Sequence, residues 1–186
     1  MTSHQLSRGA RAILLLAVVV VVVAPAARAQ RAGEASGLFD PKSGRFGSSV
    51  GEDGGRVPDT LSVPATRVWA MLPSVYEELG IPLTVVDSTN LYLGAVRVTT
   101  RRPVGGLRLS MIIECGTGNY GPNAERYTVQ LTVLSGVHAI DAGHTTLETR
   151  VLGNAAPNGT SGSVKCGTNG ALEEKVASIL RDKLAH

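Results

Sequence analysis

Three side chains that commonly ligate metals follow one another at intervals of three residues, His138, Asp141 and His144. Zinc and copper accept imidazole nitrogen and carboxylate oxygen ligands, and a turn could bring the three together. The neighbouring Gly136 and Gly143 favour a hairpin connection instead, in which His and Asp are ordinary solvated residues. We therefore predict no metal and no other cofactor, and keep these three residues as the metal candidates to test.

Gly116, Gly118 and Gly121 match the letters of the G-x-G-x-x-G dinucleotide fingerprint. That fingerprint works by presenting the N-terminus of a helix to a pyrophosphate. Here Pro122 and a predicted strand follow, so we interpret the segment as a hairpin loop. Cys115 could act as a nucleophile with a His partner, but an inward position on a predicted strand favours a structural role. We predict no catalytic residue and no enzymatic activity.

The beginning of the sequence has the pattern of a secretory signal peptide. Arg8 and Arg11 precede thirteen apolar residues, 12–24, and small residues flank Arg28 just before Gln30. The apolar run is shorter than the roughly 20 residues that a membrane-spanning helix needs. We therefore predict that residues 1–29 are cleaved and that the protein is exported, to the periplasm or outside the cell. Contact with a membrane is then expected through the signal peptide alone, before cleavage.

Removal of this segment changes the charge of the chain. The sequence has 18 basic and 15 acidic residues, and residues 1–29 contain three of the basic residues and none of the acidic ones. The mature chain is therefore formally neutral, which argues against a nucleic-acid partner. The one dense basic cluster, Arg101 and Arg102 with Arg97 and Arg108 nearby, is typical of a solvated hairpin end.

Cys115 and Cys166 are the two cysteines of the chain. Because exported proteins pass through oxidising compartments, an even count favours a disulfide, and two cysteines allow one intramolecular pairing. Two buried free thiols are the alternative. A metal site is less favoured, because cysteines about fifty residues apart lack the close spacing of zinc ligands. We predict a disulfide between Cys115 and Cys166.

Residues 30–56 are rich in Gly and Ser, with Leu38, Phe39, Phe46 and Val50 as their large apolar side chains. Such a segment buries too little apolar surface to offset the entropy of ordering it, so we predict a flexible linker. Residues 57–186 have the size of one domain with one core. We predict a single α+β domain there.

Two amphipathic helices are predicted in this domain. The first begins near Pro64, which suits a first turn, and ends before Gly80; Pro73 predicts a kink and should lie on the outer face. The second is at the C-terminus, with a glutamate pair in its first turn. Its apolar stripe consists of Leu172, Val176, Ile179, Leu180 and Leu184.

Between the helices the apolar residues alternate with polar ones, which is typical of half-buried strands. We predict strands at residues 81–86, 91–100, 107–115, 127–133 and 145–151. Short turn-rich connections join them, so the sheet should be antiparallel with one face covered. The predicted fold class is α+β, with a mostly antiparallel sheet of about five or six strands, packed on one face by a kinked N-terminal helix and a C-terminal helix.

The segment VPATRVWAMLPSVYEELGIPLTVVDSTN combines the Val68–Trp69 pair, the helix exit Leu79-Gly80-Ile81 and a turn at Asp87. With the strands and closing helix that follow, it resembles the repeated domains of BamC-like envelope lipoproteins. The detailed likeness covers residues 57–95. The resemblance implies a helix-grip-like α+β fold and an interaction role in the envelope, and it implies no catalytic residue.

Three functions are compatible with these features. We predict an exported non-enzymatic interaction module, whose partner is an envelope or extracellular protein. The alternative is a carrier of a small apolar ligand, held in a pocket between the sheet and a helix. A hydrolase or redox protein that uses His138, Asp141 or the cysteines is the third.

Overall fold

The computed structural model of the chain describes residues 39–40, 45–46, 58–159 and 162–186. The predicted signal peptide at 1–29 lies outside the described residues, as does most of the predicted linker at 30–56, so both stay predictions. No helix within the described ranges is long and apolar enough to span a bilayer.

Two long helices and two single helical turns are present in the described residues. They are α1 (Ala65–Glu78), α2 (Leu109–Ile112), α3 (Asn123–Arg126) and α4 (Ala171–Ala185). The strands are β1 (Phe39–Asp40), β2 (Arg45–Phe46), β3 (Asp59–Leu61), β4 (Val85–Asp87), β5 (Tyr92–Thr100), β6 (Ile113–Glu114), β7 (Thr117–Gly118), β8 (Gly121–Pro122), β9 (Thr128–Ala139), β10 (Thr145–Ala156) and β11 (Val164–Thr168).

Seven of the described strands form one sheet, in the order β4-β5-β9-β10-β11-β6, with β3 also paired to β10. Every pairing within it is antiparallel. The predicted α+β class is confirmed, and the sheet has more strands than the alternation indicates because two strands share one edge of β10. β3 pairs with Thr145–Leu147 and β11 with Gly153–Ala155.

The predicted helix layer covers one face of this sheet. α1 buries Val68, Leu72 and Val75, which lie at helical spacing on one side. α4 packs against α1 and β10, and its side chains join those of α1 and the sheet in the main core. Pro73 lies inside α1 with its side chain exposed, on the outer side as predicted.

The strand predicted at residues 107–115 is wrong over most of its length. Leu109–Ile112 form the helical turn α2, and the strand β6 is limited to Ile113–Glu114. The burial explains the difference: Leu109, Ile112 and Ile113 are buried, whereas Met111 is 46% exposed. Burial of Leu109 and Ile112, three residues apart, with Met111 exposed between them is the helical pattern, whereas in a strand Met111 would share a buried face with Leu109.

A buried chain of hydroxyls connects α1 with the centre of the sheet. The Tyr76 hydroxyl lies 2.8 Å from Ser135 Oγ, which in turn lies 2.8 Å from Thr149 Oγ1. Burial raises the pKa of the Tyr76 phenol far above its ordinary value, although the hydrogen bond with Ser135 opposes the shift. The phenol therefore remains protonated, and it fixes α1 over β9 and β10.

Replacing Tyr76 by Phe is expected to lower the free energy of unfolding by about 1 kcal/mol, because one buried hydrogen bond is lost while Ser135 keeps Thr149 as a partner. Urea denaturation measures the change. The matched control is Tyr127→Phe, at a tyrosine whose hydroxyl bonds to nothing in the described part of the chain. Equal effects of the two substitutions would contradict the proposed role of the hydroxyl chain.

Candidate functional site

A pocket of about 230 Å³ opens where the helix layer ends beyond α1. We call it the Arg102 pocket. Its floor consists of the buried apolar side chains Ile81, Ala95, Leu131 and Val133. Its rim is exposed and includes Pro82, Thr99, Arg102 and Pro103. The pocket thus combines an apolar floor with a rim that carries a polar and a charged residue, a common arrangement of a small-molecule site.

A β-bulge in β5 shapes the pocket. The register with β9 shifts between Ala95 and Val98, so Val96 and Arg97 stand opposite Thr132. Because a bulge takes residues out of the ladder, their N–H groups need other acceptors. The Val96 N–H donates to Thr84 Oγ1 at 2.8 Å, and the Arg97 N–H donates to Thr132 Oγ1 at 3.0 Å. The bulge lets Ala95 and Val98 both face the main core, and both line the pocket.

The loop that follows β5 closes the pocket from the other side. Gly105 donates its N–H to the Leu79 carbonyl at the end of α1, at 3.0 Å. Its φ is +57°, and a Cβ there would lie 2.5 Å from Leu79 Cδ2. A glycine is therefore needed for the loop to pack against α1. This contact holds Val104 and Pro103 beside the end of the helix.

The arginines at the end of β5 differ in their partners. The Arg101 side chain donates to Thr128 Oγ1 at 2.8 Å from Nε, and also to Asn158 Oδ1. Within the described residues, the Arg102 guanidinium makes no hydrogen bond and no ion pair. The Arg102 backbone N–H donates to Thr100 Oγ1 at 3.0 Å, which fixes its position on the rim. The sequence pattern of this basic cluster is typical of a solvated hairpin end. Of its two adjacent arginines, Arg101 is restrained by hydrogen bonds, whereas the Arg102 guanidinium is available within the described residues.

The sheet face opposite α1 and α4, which we call the outer face, carries a second apolar cluster. Leu134 points away from Val133, because neighbouring residues of a strand face opposite sides. It packs with Val85 and Tyr92, and Phe46 of β2 lies over them with 4% of its surface exposed. We call this the Phe46 site. The two described residue pairs of the predicted linker, β1 and β2, pair with each other as an antiparallel ribbon.

A buried carboxylate belongs to the Phe46 site. Glu148 is 2% exposed, and its Oε2 accepts the Phe46 N–H at 3.2 Å. Its other oxygen forms an ion pair with Arg150 at 2.7 Å. The carboxylate therefore has both a cation and a backbone donor, as a buried charge requires. The pKa of Tyr92, in the same cluster, is raised to about 12. The main cause is burial of the phenol, and the second is the Asp87 carboxylate.

The predicted disulfide between Cys115 and Cys166 is present. Both cysteines are buried, and the bond joins the end of β6 to β11, the strand that leads into α4. Gly153 makes room for this contact, because a Cβ there would lie 2.7 Å from Ile113 Cδ1 and 3.2 Å from Cys166 Cβ. The bond removes both thiols from nucleophilic or metal chemistry.

The metal candidates lie around the turn between β9 and β10. Asp141 Oδ1 accepts the Gly143 and His144 N–H groups, each at 2.7 Å, and His144 Nδ1 lies 2.9 Å from Asp141 Oδ2. The Gly143 hydrogen bond is the largest cause of a lowered Asp141 pKa, followed by the His144 side chain. His138 pairs across the ladder with Thr146. In the described ranges, no group of three His, Cys, Asp or Glu side chains is arranged to hold a metal.

The glycines of the dinucleotide pattern form a hairpin, as interpreted from the sequence. Thr117–Gly118 pair with Gly121–Pro122. The segment that follows is the helical turn α3, not the strand predicted directly after Pro122. Its four residues are far shorter than the helix that receives a pyrophosphate in the fingerprint.

Sequence reasoning missed the Phe46 site and the available Arg102. Phe46 lies in a Gly/Ser-rich stretch, and one aromatic residue in such a stretch carries no periodicity. Arg102 directly follows Arg101, and the sequence does not distinguish the two. They differ in the folded chain, because Arg101 and not Arg102 contacts Thr128 and Asn158. A large aromatic side chain in a Gly/Ser-rich segment is the signal that could have indicated an anchor. Comparisons of the chain with protein-family models, with curated proteins and with solved structures found no match.

Proposed function

We propose that this chain is an exported, non-enzymatic interaction module whose partner is a protein of the cell envelope or the extracellular space. A buried disulfide supports export, because such bonds persist in oxidising compartments, and the sequence pattern of residues 1–29 points the same way. The resemblance of residues 57–95 to BamC-like envelope domains is in keeping with this role. The neutral charge of the mature chain argues against a nucleic-acid partner.

The observation that carries the proposal is the Phe46 site. An extended segment is held there by an aromatic side chain in an apolar cluster and by a backbone N–H on the buried Glu148 carboxylate. Main-chain hydrogen bonds combined with a side-chain pocket are the general means by which proteins bind extended peptides. We infer that Phe46 is a ligand supplied by the chain itself, and that a partner segment with an aromatic residue takes its place.

The sequence between Phe46 and the domain favours such an exchange. Residues 47–57 number eleven, and four of them are glycines. The sequence predicts a flexible linker here, and a short flexible linker gives a tethered ligand an effective concentration of about millimolar. A partner segment displaces Phe46 when the ratio of the partner's concentration to its dissociation constant exceeds the ratio of this effective concentration to the dissociation constant of the tethered segment.

The test uses full-length oxidised protein and a labelled peptide with the sequence of residues 37–48. Phe46→Ala should bind this peptide at least about tenfold more tightly than the unchanged protein does, because the competing tethered residue is gone. Adding Leu134→Ala should reverse the gain, since Leu134 forms the floor of the Phe46 site. Fluorescence anisotropy measures the binding.

The matched control is Phe46→Ala with Leu152→Ala, a residue that contacts the cluster but is only partly buried. It should retain most of the gain. Peptide binding that is equal in the unchanged protein and in Phe46→Ala would mean that the site is only structural. Where the peptide does bind, affinity capture from the envelope fraction with Phe46→Ala as bait should enrich a protein that Phe46→Ala/Leu134→Ala does not.

The Arg102 pocket favours a second candidate function, the carrier of a small apolar ligand. Its floor lies on the sheet face that the helices cover, and it opens at the end of α1. Mass spectrometry of an organic extract of the purified protein tests this function, since a carrier should release a stoichiometric apolar molecule. A hydrolase or redox protein has less support, because both cysteines are in the disulfide and the Asp141 and His144 side chains are more than half exposed.

A further inference from the structure

The Arg102 pocket differs from a purely apolar cavity, because its floor is apolar and its rim carries a positive charge. Ala95, Leu131 and Val133 on its floor offer no charge. On its rim Arg102 carries a positive charge, and the described lining residues include neither Asp nor Glu. A ligand that matches both parts has an apolar tail and an anionic head.

The size of the pocket limits the tail. Its volume of about 230 Å³ exceeds the about 150 Å³ of an apolar protein cavity that accepts benzene. A short acyl chain or a single ring fits this space, whereas a long-chain lipid would extend into solvent.

The charge on Arg102 is not used elsewhere in the described residues. Arg101, its neighbour, is held by Thr128 and Asn158, whereas the Arg102 guanidinium has no described partner. A guanidinium is always charged and presents several N–H donors in one plane, which suits a carboxylate. The hydrogen bond from the Arg102 backbone N–H to Thr100 fixes the main chain of Arg102 at the mouth of the pocket, and the Arg102 side chain lies within reach of that mouth.

We propose that the Arg102 pocket binds a small amphipathic monocarboxylate, with its tail on the Ala95–Val133 floor and its carboxylate paired with Arg102. This inference rests on the carrier function, the second candidate above. It is independent of the Phe46 site, which lies on the other face of the sheet.

The test titrates delipidated full-length protein with octanoate and, separately, with 1-octanol, which has the same chain length and a neutral head. Isothermal titration calorimetry should give a dissociation constant for octanoate about two- to fivefold lower than for 1-octanol, the gain expected from one exposed ion pair. Arg102→Gln should bring the two constants together without weakening 1-octanol binding. Arg126→Gln, which removes an arginine that stacks on Tyr120, is the matched control and should leave the preference unchanged.

A second variant tests the floor. Ala95→Leu puts a larger side chain into the pocket and should weaken both probes more than tenfold. Should this buried substitution unfold the protein, the Arg102→Gln comparison still decides the head group, because that residue is exposed. Equal affinities for octanoate and 1-octanol in the unchanged protein would overturn the carboxylate inference. If neither octanoate nor 1-octanol binds, the proposed carrier function is overturned. The peptide assay with Phe46→Ala would be unaffected by that result.

Discussion

Replacing Cys115 and Cys166 together by Ala is expected to lower the free energy of unfolding by about 4 kcal/mol. The disulfide closes a loop with a sequence separation of 51 residues, and on the chain-entropy model a crosslink of this span destabilises the unfolded chain by that amount. Guanidinium denaturation of the oxidised protein and of the double variant measures the difference. A change of this size is a large part of the 5–15 kcal/mol stability that is typical of a domain.

Reduction provides the control for this prediction. A reductant should lower the melting temperature of the unchanged protein and leave that of the double variant where it is, because the variant has no thiol. If the reductant shifts both equally, the change is unrelated to the bond. If it shifts neither, the disulfide either resists reduction or adds no stability, and counting thiols under denaturing conditions separates these two results.

The position of the disulfide shows a second role, because it lies where few backbone hydrogen bonds hold the chain. β6 has two residues, and its ladder with β11 consists of the pairs Glu114 with Gly167 and Ile113 with Thr168. So short a strand is weakly held by its hydrogen bonds alone. The disulfide therefore also holds α2 and β6 against β11, in addition to its effect on the unfolded chain.

The regular elements could be predicted because their patterns repeat. The stripe of α1, the stripe of α4 and the alternation over residues 127–133 and 145–151 each extend over several turns or residue pairs, so one irregular residue does not hide them. The alternation does not predict that β9 and β10 continue to Ala139 and Ala156, because β9 is buried on both faces beyond Val133. The disulfide followed from the even count of cysteines and the export pattern. Neither inference needed the positions of other elements.

The irregular elements could not be predicted in the same way. LRLSMIIEC alternates and also contains the i, i+3, i+4 spacing, and its packing selects the helical option for Leu109–Ile112. The bulge in β5 depends on hydroxyls at Thr84 and Thr132, which are far from Val96 in sequence. The Arg102 pocket lies where this bulge meets the loop after β5. Its existence is a consequence of tertiary packing, so the sequence indicates a possible pocket between sheet and helix but not its place.

Both candidate sites use the same three central strands. β5, β9 and β10 present Ala95, Val133 and Val151 to the helices and Tyr92, Leu134 and Glu148 to the outer face. Alternate residues of one strand face opposite sides of the sheet. A shift of β5 along β9 by one residue would therefore move each β5 side chain to the other face. The register of β5 on β9 is therefore the feature on which both proposed binding functions depend.

Replacing Gly94 by Ala is expected to lower the free energy of unfolding by about 3 kcal/mol or more. A Cβ at this position would lie 2.0 Å from the Val133 carbonyl oxygen and 2.9 Å from Leu134 Cα, both backbone atoms of the neighbouring strand. Because backbone in the centre of a sheet cannot move aside as a flexible side chain can, the cost falls at the upper end for overpacking. The φ of +156° at Gly94 adds to the penalty for any L-residue.

The matched control for Gly94→Ala is Gly167→Ala in β11, where a Cβ would meet no atom within 4 Å. Urea denaturation should show a change of less than about 0.5 kcal/mol there, as for an ordinary exposed position. Since Gly94 precedes Ala95 and the bulge, any folded Gly94→Ala protein should also bind octanoate more weakly, while Gly167→Ala binds it normally. Equal stabilities of the two variants would mean that β5 lies farther from β9 than this register places it, and both binding sites would then need to be assigned again.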